Sequence, residues 1–452
     1  MIKNIDLSKP KAQYLLGLVL NISFLIILYS FETSYKNVQI PEGIYQHNIW
    51  ECGDVMTYVN PAVNFVKYGV FGYIETPDHF RTIGYPSIIS LFYFIFGRNW
   101  VLALQIFQSI IFAFIYPLVT STIKILLPNA TKGLIKAVFI SLCISGAYFT
   151  RSTAILTDML FILIFVAGFY FGFKMYTSKK CSYLLLYLVF ITVGALIRPT
   201  LTLFPLLNLS IGYWVAKKYG YFLKQTMIKS LYISVALFCL TNISTVRNYR
   251  NYSFPSSSSV VGLNAFEYLS KKVLIMEGKT DKYILYGEQL NTIGNISDKT
   301  KMREAIMYKT VEQYPVSTIK VLFINTINLF FSNNLLSNIS TYFGYDWKNF
   351  KSSCYPYKTS KILFCGTYLF MLLYAILWGL FLLKLVDLLK SKDFETLCII
   401  FILFLMFMVP AILTGDGGGR FRLPFEHILF IFGLSMCFGK DRPKHLFTHA
   451  DL

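Results

Sequence analysis

Charged residues are scarce in this sequence. Only 14% of its 452 residues are charged, while 55% are hydrophobic. A soluble domain usually carries about 25% charged residues. The apolar residues gather into repeated runs of roughly 18 residues or more, the length that crosses a bilayer as a helix. This composition excludes an ordinary soluble globular protein and predicts an integral membrane protein with many spans.

Acidic residues are scarcer still. The chain has 42 Lys and Arg against 23 Asp and Glu, a formal net charge of +19. The lysines fall in short segments between apolar runs, as the positive-inside rule describes for cytoplasmic loops. A nucleic-acid-binding protein would instead carry a basic patch on a soluble domain, and none is seen. The charge pattern therefore predicts both termini in the cytoplasm and no nucleic-acid partner.

Paired metal-ligating and redox motifs are also missing. The eight cysteines include no C-x-x-C pair, and His47 and His79 have no second ligand at a spacing that suits zinc. No small-residue cleavage site follows the first apolar run, so no cleaved signal peptide is expected. Cys52 and Cys354 fall in predicted exterior loops, where spacing alone leaves a disulfide open.

The apolar runs predict an all-α polytopic membrane protein with about 10–12 transmembrane helices plus interfacial helices. Residues 85–97 are apolar but too short to cross at about 1.5 Å per residue, so they are expected to lie on the exterior face or dip into it. Residues 319–337 fit either an interfacial helix or a true span. The expected spans lie near residues 13–30, 99–127, 134–150, 154–176, 183–197, 200–216, 228–246, 361–388, 394–413 and 423–439.

Three regions follow from this pattern, and no internal repeat is present. Residues 1–246 are expected to form an N-terminal transmembrane module that includes a polar exterior loop, 31–84. Residues 247–360 are the largest polar stretch and are expected to form an exterior or interfacial cap. Residues 361–452 carry the C-terminal transmembrane helices.

Ionisable side chains occur mainly at the predicted exterior ends of the apolar runs. At membrane depth such residues are costly, so they usually pair with one another or line a wet cavity. Because all of them are predicted at one face, the simplest hypothesis is a single polar site there. The residues are Asp54, Arg81, Asp158, Arg198, Arg247, Arg250, Asp416, Arg420 and Arg422.

Six short motifs contain most of these residues. They are Asp54 to Tyr58, Arg81 to Pro86 (RTIGYP), Thr157–Asp158, Arg198–Pro199, Arg247 to Tyr249 with Ser256 to Ser259 and Gly262 to Asn264, and Arg420 to Pro424. In their order they resemble the GT-C glycosyltransferases that use polyprenyl-phosphate sugars, the superfamily of protein O-mannosyltransferases and the lipid A aminoarabinose transferase. The chain departs from that pattern at Ile83, where the common form has Pro, and its C-terminal half matches only at its ends.

The resemblance implies a GT-C-like fold and a hexosyl- or pentosyltransferase. Such an enzyme moves a sugar from a polyprenyl-phosphate donor to a hydroxyl or phosphate on a lipid, glycan or protein acceptor. It implies a multi-pass protein of a bacterial inner (plasma) membrane, in contact with membrane lipids. The loop 31–84 would then be catalytic, with the site on the exterior (periplasmic) face.

Each candidate residue has an expected role. Asp54 is the expected general base, because a carboxylate can accept the proton of the attacking hydroxyl, and direct displacement predicts inversion. Asp158 is the second catalytic candidate, expected to orient the acceptor or the sugar. No cofactor is certain, and a divalent metal stays open at Asp54 or Asp158. The donor phosphate is expected to bind Tyr58, Arg81, Tyr85, Arg247 and Arg420, since arginine offers bidentate contacts to phosphate oxygens.

Other functions also fit a polytopic chain. A polyprenyl-linked glycan flippase or transporter would place ionisable residues along a path through the spans, whereas the predicted spans are nearly free of charge between their ends. An O-antigen-type polymerase or ligase would not require the Asp54–Tyr58 element after the first span. Simpler roles are helix capping for Asp158 and anchoring at the lipid interface for Arg81, Arg247 and Arg420.

Overall fold

The structure of the chain, a computed structural model, is predominantly helical. It describes residues 6–30, 38–40, 44–46, 55–73, 76–77, 79–145, 147–178, 181–198, 234–331, 357–414 and 419–438. The predictions made for Asp54, Pro199, Asp416, Cys52 and Cys354, and for the side chain of Arg420, lie outside the described residues.

The N-terminal part alternates long helices with two small antiparallel strand pairs, β1–β2 and β3–β4, in the first polar loop. A 3₁₀ turn, Arg151–Thr153, precedes the longest helix of this part. The elements are α1 Pro10–Ser30, β1 Val38–Ile40, β2 Ile44–Gln46, α2 Val55–Tyr68, β3 Gly72–Tyr73, β4 Thr76–Pro77, α3 Gly84–Phe96, α4 Trp100–Phe112, α5 Ile115–Leu126, α6 Lys132–Ser145, α7 Ala147–Thr150, α8 Thr157–Ser178 and α9 Cys181–Ile197.

The C-terminal part begins with helical residues 234–241. A π-helical turn, Ala265–Ser270, joins two of its short helices. The helices are α10 Ile243–Tyr252, α11 Val260–Asn264, α12 Lys271–Met276, α13 Thr280–Thr292, α14 Ile296–Gln313, α15 Pro315–Phe331, α16 Tyr357–Lys390, α17 Phe394–Thr414 and α18 Gly419–Phe438.

Five described stretches are long and apolar enough to cross a membrane, or up to six if α14 and α15 form one bent span. The chain is therefore an all-α polytopic membrane protein, as its composition predicted. The expected number of spans stays a prediction, because residues 200–216 lie outside the described part. The five stretches are Pro10–Ile27, Gly84–Leu126, Thr157–Met175, Tyr368–Lys390 and Thr396–Leu413.

Helices α3 and α4 form a hairpin, so the apolar stretch Gly84–Leu126 does not run straight. Gln108 on α4 donates a hydrogen bond of 2.8 Å to the hydroxyl of Tyr85, near the start of α3. The ring centroids of Phe92 and Phe107 lie 5.2 Å apart. With 13 residues, α3 is about 20 Å long and too short to cross a bilayer. Its length agrees with the expectation for residues 85–97.

Helix α1 runs antiparallel to the α4–α5 pair. Near its carboxyl end the Tyr29 hydroxyl donates to Gln105 Oε1 at 2.8 Å, and near its amino end Gln13 Oε1 accepts from Thr120 at 2.5 Å. Gln105 also donates to the carbonyl of Thr153 at 2.8 Å. Helix α1 therefore ends where α8 begins, and we call this end of the bundle the upper end.

Helices α17 and α18 meet α8 at the same end. Phe161, in the second turn of α8, packs on Phe407 of α17 with ring centroids 6.1 Å apart. Phe165 packs on His427 of α18 at 6.2 Å. Because these contacts lie close to the start of α8, the carboxyl half of α17 and the amino half of α18 belong to the upper end.

Helices α14 and α15 connect the predicted cap to the bundle. They meet at an angle of 107°, and the carboxyl end of α15 packs among α16, α17 and α18. Asn325 Nδ2 donates to the carbonyl of Ile412 at 3.0 Å, and Trp378 Nε1 donates to that of Phe330 at 3.2 Å. Whether residues 319–337 cross the membrane stays a prediction, because residues 332–356 lie outside the described part.

Candidate functional site

The guanidinium group of Arg81 lies against two aromatic rings at the upper end, those of Tyr58 and Phe80, which we call the aromatic shelf. Its guanidinium carbon is 4.5 Å from the ring centre of Tyr58 and 4.7 Å from that of Phe80. Its Nε donates to Thr57 Oγ1 at 2.8 Å. A guanidinium stacked on aromatic faces keeps its N–H donors in its own plane, where they can form paired contacts with phosphate or carboxylate oxygens. The aromatic shelf therefore leaves Arg81 in an orientation in which the edge of its guanidinium group can bind an anion.

Tyr58 and Tyr85 connect Arg81 to the core of the bundle. Both side chains are buried, and their rings meet edge to face with centroids 5.5 Å apart. The Tyr58 hydroxyl lies 3.5 Å from Thr157 Oγ1, at the start of α8. Tyr58, Arg81 and Tyr85, all expected at the donor phosphate, are thus brought together with the Thr157–Asp158 motif.

Asp158 is the centre of a buried ion cluster. Arg198 forms an ion pair with one carboxylate oxygen of Asp158, and Arg151 Nη1 lies 3.6 Å from the other. Arg198 Nε also donates to Thr157 Oγ1 at 3.1 Å. A carboxylate that is only 3% exposed is costly unless cations pair with it. The two guanidinium groups account for the burial of the carboxylate, so Asp158 forms ion pairs as well as lying in the first turn of α8.

Arg151 is a member of the cluster that the motifs did not predict. It lies in the 3₁₀ turn before α8 and is 6% exposed. An arginine at the end of an apolar run needs a partner at membrane depth, and Asp158 is the nearest acidic residue in the sequence. That proximity was the available signal for its place beside Asp158.

A close backbone approach between α3 and α9 brings the Arg81 and Asp158 groups to one corner. A Cβ on Gly84 would lie 2.5 Å from the carbonyl oxygen of Leu196, so only glycine permits this approach. The Thr82 hydroxyl donates to the carbonyl of Ile197 at 2.9 Å. Because Arg198 directly follows Ile197, the same contact holds Arg198 close to the segment that carries Arg81.

Arg247 reaches this corner from α10. Its Nη2 donates to the carbonyl oxygen of Arg81 at 3.1 Å, and its Nε donates to Asn248 Oδ1 at 3.0 Å. Arg247 is therefore brought together with three other predicted donor residues, Tyr58, Arg81 and Tyr85. Its direct contact with a donor phosphate stays a prediction, since the contacts seen here are with the backbone of Arg81 and with its own neighbour.

Arg422, in the last motif, occupies a different place. It is fully buried, and its Nη1 donates to the carbonyls of Leu329 and Phe330 at 2.6 and 2.7 Å. The guanidinium lies 3.9 Å from the ring centre of Tyr374 and pairs with Glu426 at 3.4 Å. Arg422 thus binds carbonyl groups in the last described turn of α15, inside the bundle.

His79 lies beside Arg81 and is electrically neutral at pH 7. Its Nδ1 is 2.9 Å from Ser259 Oγ, and its ring meets that of Tyr252 edge to face at 5.3 Å. Burial lowers the pKa of His79 to about 4, with a further contribution from the positive charges of Arg247, Arg303 and Lys299. His79 therefore adds no charge to the site, and the arginines provide its positive potential.

The described residues offer poor support for a metal ion. No group of three or more His, Cys, Asp or Glu that could hold a metal occurs among them. The oxygens of Asp158 face the guanidinium groups of Arg151 and Arg198, which would repel a divalent cation. Asp158 therefore does not fit as a metal ligand. Asp54, the other candidate, lies outside the described part.

Comparisons with known proteins add little. No protein-family model matches the chain, and no curated protein sequence matches it. It is similar to the apo crystal structure of ArnT from Cupriavidus metallidurans, with a TM-score of 0.36 and 10% identity over 93% of this chain and 77% of that chain. A likeness this distant defines neither fold nor function. The fold and the site themselves define a polytopic helical membrane protein with an arginine-rich cluster at one end of its bundle.

Proposed function

We propose that the chain is a membrane glycosyltransferase. It transfers a sugar from a polyprenyl-phosphate donor to an acceptor hydroxyl or phosphate, with inversion, at the exterior face of a bacterial inner membrane. The observation that carries the proposal is the convergence of Tyr58, Arg81, Tyr85, Asp158 and Arg247 at the upper end. These five residues belong to four separate motifs, and unrelated motifs would not be expected to converge on one corner.

A polyprenyl phosphate has a long apolar chain and an anionic head group. Cations at one end of an apolar bundle suit both parts of such a molecule. Arg81 is proposed to bind the phosphate, because its guanidinium lies against Tyr58 and Phe80 and can offer paired hydrogen bonds. At this depth a phosphate is partly desolvated, which strengthens charged hydrogen bonds relative to water.

In the proposed transfer, the acceptor oxygen attacks the anomeric carbon while the bond from that carbon to the phosphate oxygen breaks. Asp54 takes the acceptor's proton, and Arg81 stabilises the charge that develops on the departing phosphate. Asp54 directly precedes Val55, the first residue of α2. The same helix carries Thr57 and Tyr58, so the base and the partners of Arg81 are close in sequence.

Asp158 is proposed to orient substrate groups through Arg151 and Arg198. Its carboxylate is bound between these two cations, which stabilise its charge and make it a poor covalent nucleophile. A double displacement would need a second, reactive carboxylate next to the sugar. The pairing of Asp158 therefore supports a single displacement and inversion. The proposed step itself requires no cofactor, and a divalent metal stays open only at Asp54.

The alternatives gain no comparable support. A flippase would use ionisable residues along a path through the membrane. The ionisable side chains Arg422 and Glu426 of α18 do lie inside the bundle, but they pair with each other, and Arg422 also donates to a carbonyl of α15. They are therefore bound to the protein itself and give no support for a transport path. An O-antigen-type polymerase or ligase would give no role to the Asp54–Tyr58 element, whose Tyr58 ring lies against Arg81.

Purified protein can separate donor binding from transfer. Arg81→Ala should weaken binding of polyprenyl phosphate by about tenfold or more, since a charged hydrogen bond contributes roughly 1.5–3 kcal/mol. Arg81→Lys should recover only part of the affinity, because the ammonium lacks the planar fork. Asp54→Asn should bind the donor normally but lose about 10²–10⁴ in transfer rate. Cells with Asp54→Asn should then accumulate a polyprenyl-phosphate sugar.

Arg250→Ala is the matched control, because Arg250 is an exposed arginine on the helix that carries Arg247. It should leave donor affinity unchanged. Equal polyprenyl-phosphate affinities for wild type and Arg81→Ala would remove Arg81 from the donor site. Normal transfer by Asp54→Asn would remove the general base and with it the proposed mechanism.

A further inference from the structure

The carbonyl groups of three consecutive residues, His79, Phe80 and Arg81, accept hydrogen bonds from one segment of the cap. The carbonyl of His79 accepts from the backbone N–H of Ser259 at 3.1 Å. That of Phe80 accepts from the Ser258 hydroxyl at 2.5 Å. As described above, the carbonyl of Arg81 accepts from Arg247. The sequence brings these donors from about 170 residues farther along the chain.

The segment that supplies the donors is itself fixed. Asn248 is fully buried, and its Nδ2 donates to the carbonyl of Ser256 at 2.8 Å. The Ser258 hydroxyl accepts from the N–H of Val260 at 3.2 Å, so its own proton is directed at Phe80. A Cβ on Gly262 would lie 2.7 Å from Thr300 Cγ2, which shows how closely this segment packs on α14.

Residues 79–83 have no regular structure of their own between β4 and α3. Without outside partners, the backbone that carries Arg81 would have several conformations, and each binding event would have to restore the productive one. A peptide whose successive carbonyls are all bound has far less freedom. The hydrogen bonds from the cap therefore reduce the conformational cost of presenting Arg81 to an anion.

We infer that Arg247, Ser258 and Ser259, held in place by Asn248, form a carbonyl clamp that positions Arg81 for the donor phosphate. The clamp residues act through Arg81 and are positioning residues; they need not touch the substrate. This inference rests on the proposed donor role of Arg81. The Arg247 to Tyr249 and Ser256 to Ser259 motifs would then fix the backbone that carries Arg81, a role that their sequence alone did not suggest. Part of the cap would be necessary for donor binding.

Ser258→Ala tests the clamp, because it removes one hydroxyl and changes little volume. Polyprenyl-phosphate affinity should fall about fivefold, the loss expected for one ordinary hydrogen bond, whereas the transfer rate at saturating donor should change little. Ser258→Thr keeps the hydroxyl and should restore affinity. Ser257→Ala is the matched control. Ser257 is half-buried and makes no side-chain hydrogen bond among the described residues.

A double-mutant cycle identifies the route of the effect. If Ser258 acts through Arg81, Ser258→Ala should have no further effect on donor affinity in an Arg81→Ala protein. An equal loss of affinity in both backgrounds would overturn the clamp, because Ser258 would then act by another route. Wild-type affinity in the Ser258→Ala single variant would overturn it as well.

A second measurement does not depend on the donor. Hydrogen exchange of the Ser259 backbone amide, which donates to the His79 carbonyl, should be faster in Ser258→Ala than in wild type or Ser257→Ala, in protein without donor. Unchanged exchange would refute the clamp even if donor affinity fell. Faster exchange together with a wild-type donor affinity for Arg81→Ala would keep the backbone clamp but refute the donor role of Arg81. The two failures are therefore distinguishable.

Discussion

At the scale of single residues, the arginines of the predicted site differ in what holds their guanidinium groups. Arg81 lies against two aromatic rings, Arg198 is bound to the Asp158 carboxylate, and Arg422 caps backbone carbonyls in the core. The sequence placed all three near the ends of apolar runs, which predicts only how deep they lie in the membrane. It could not separate their roles, because each role depends on a partner that is distant in the sequence.

His79 leads to a prediction of pH dependence. An unfolded histidine takes up a proton near pH 6.5, but the folded state holds the pKa of His79 at about 4. As pH falls from 6.5 to 4, protons therefore bind the unfolded chain better and destabilise the fold. The stabilisation is fully present above pH 6.5 and is lost as pH falls through this window. His79→Gln, which cannot titrate, should lose less thermal stability than wild type between pH 7 and pH 4.

Thermal unfolding in one detergent across this range measures the difference. Parallel curves for wild type and His79→Gln would show that another group governs the loss of stability in acid. Such a result would also contradict the buried, positively charged environment that lowers the pKa of His79, in which Ser259 and Tyr252 contact the ring and Arg247 lies nearby.

At the scale of elements, hydropathy predicted the helices that are apolar along their whole length. The span expected at 154–176 is α8, Thr157–Ser178, and the one expected at 394–413 is α17, Phe394–Thr414. Hydropathy could not predict that α3 folds back along α4, because this depends on the contact between Tyr85 and Gln108. The predicted and observed helices agree where the whole length of a helix is apolar. They differ where contacts between individual side chains determine the course of the chain.

The contact between α3 and α9 gives a prediction at this scale. Gly84→Ala should destabilise the protein and lower donor affinity, because its Cβ would lie 2.5 Å from the Leu196 carbonyl oxygen and 2.7 Å from its carbon. Both atoms are backbone, so the helices must separate, and overpacking of this kind costs about 1–3 kcal/mol. Gly287→Ala is the control, since Gly287 lies inside α13 with nothing within 4 Å.

Thermal unfolding of the two variants in detergent provides the comparison. Gly287→Ala should be neutral or slightly stabilising, because alanine favours a helix over glycine by about 1 kcal/mol. A Gly84→Ala protein as stable as Gly287→Ala would mean that α3 and α9 do not approach as closely as described, and the corner that joins Arg81 to Arg198 would lose its support.

At the scale of the whole molecule, the two ends of the bundle differ in charge. The upper end gathers the Asp158 cluster and Arg81, whereas lysines beside short connections between the membrane helices lie at the opposite end. Lys136, near the start of α6, lies 3.8 Å from Asp6 at the start of the chain. Lys390 ends α16, directly before α17, whose 21 residues extend about 32 Å to the upper end. By the positive-inside rule we predict that the lysine end is cytoplasmic and that the site faces outward.

This orientation can be tested with single cysteines in a protein whose eight native cysteines are replaced. Asp281 is exposed in the cap, and Lys390 is exposed at the opposite end. In intact cells a membrane-impermeant thiol reagent should label Asp281→Cys, because the cap is joined to the upper end through Ser258 and Phe80. Lys390→Cys should react only after the membrane is opened. The reverse pattern would place Arg81 and Asp158 on the cytoplasmic side, where an exterior transfer reaction could not occur.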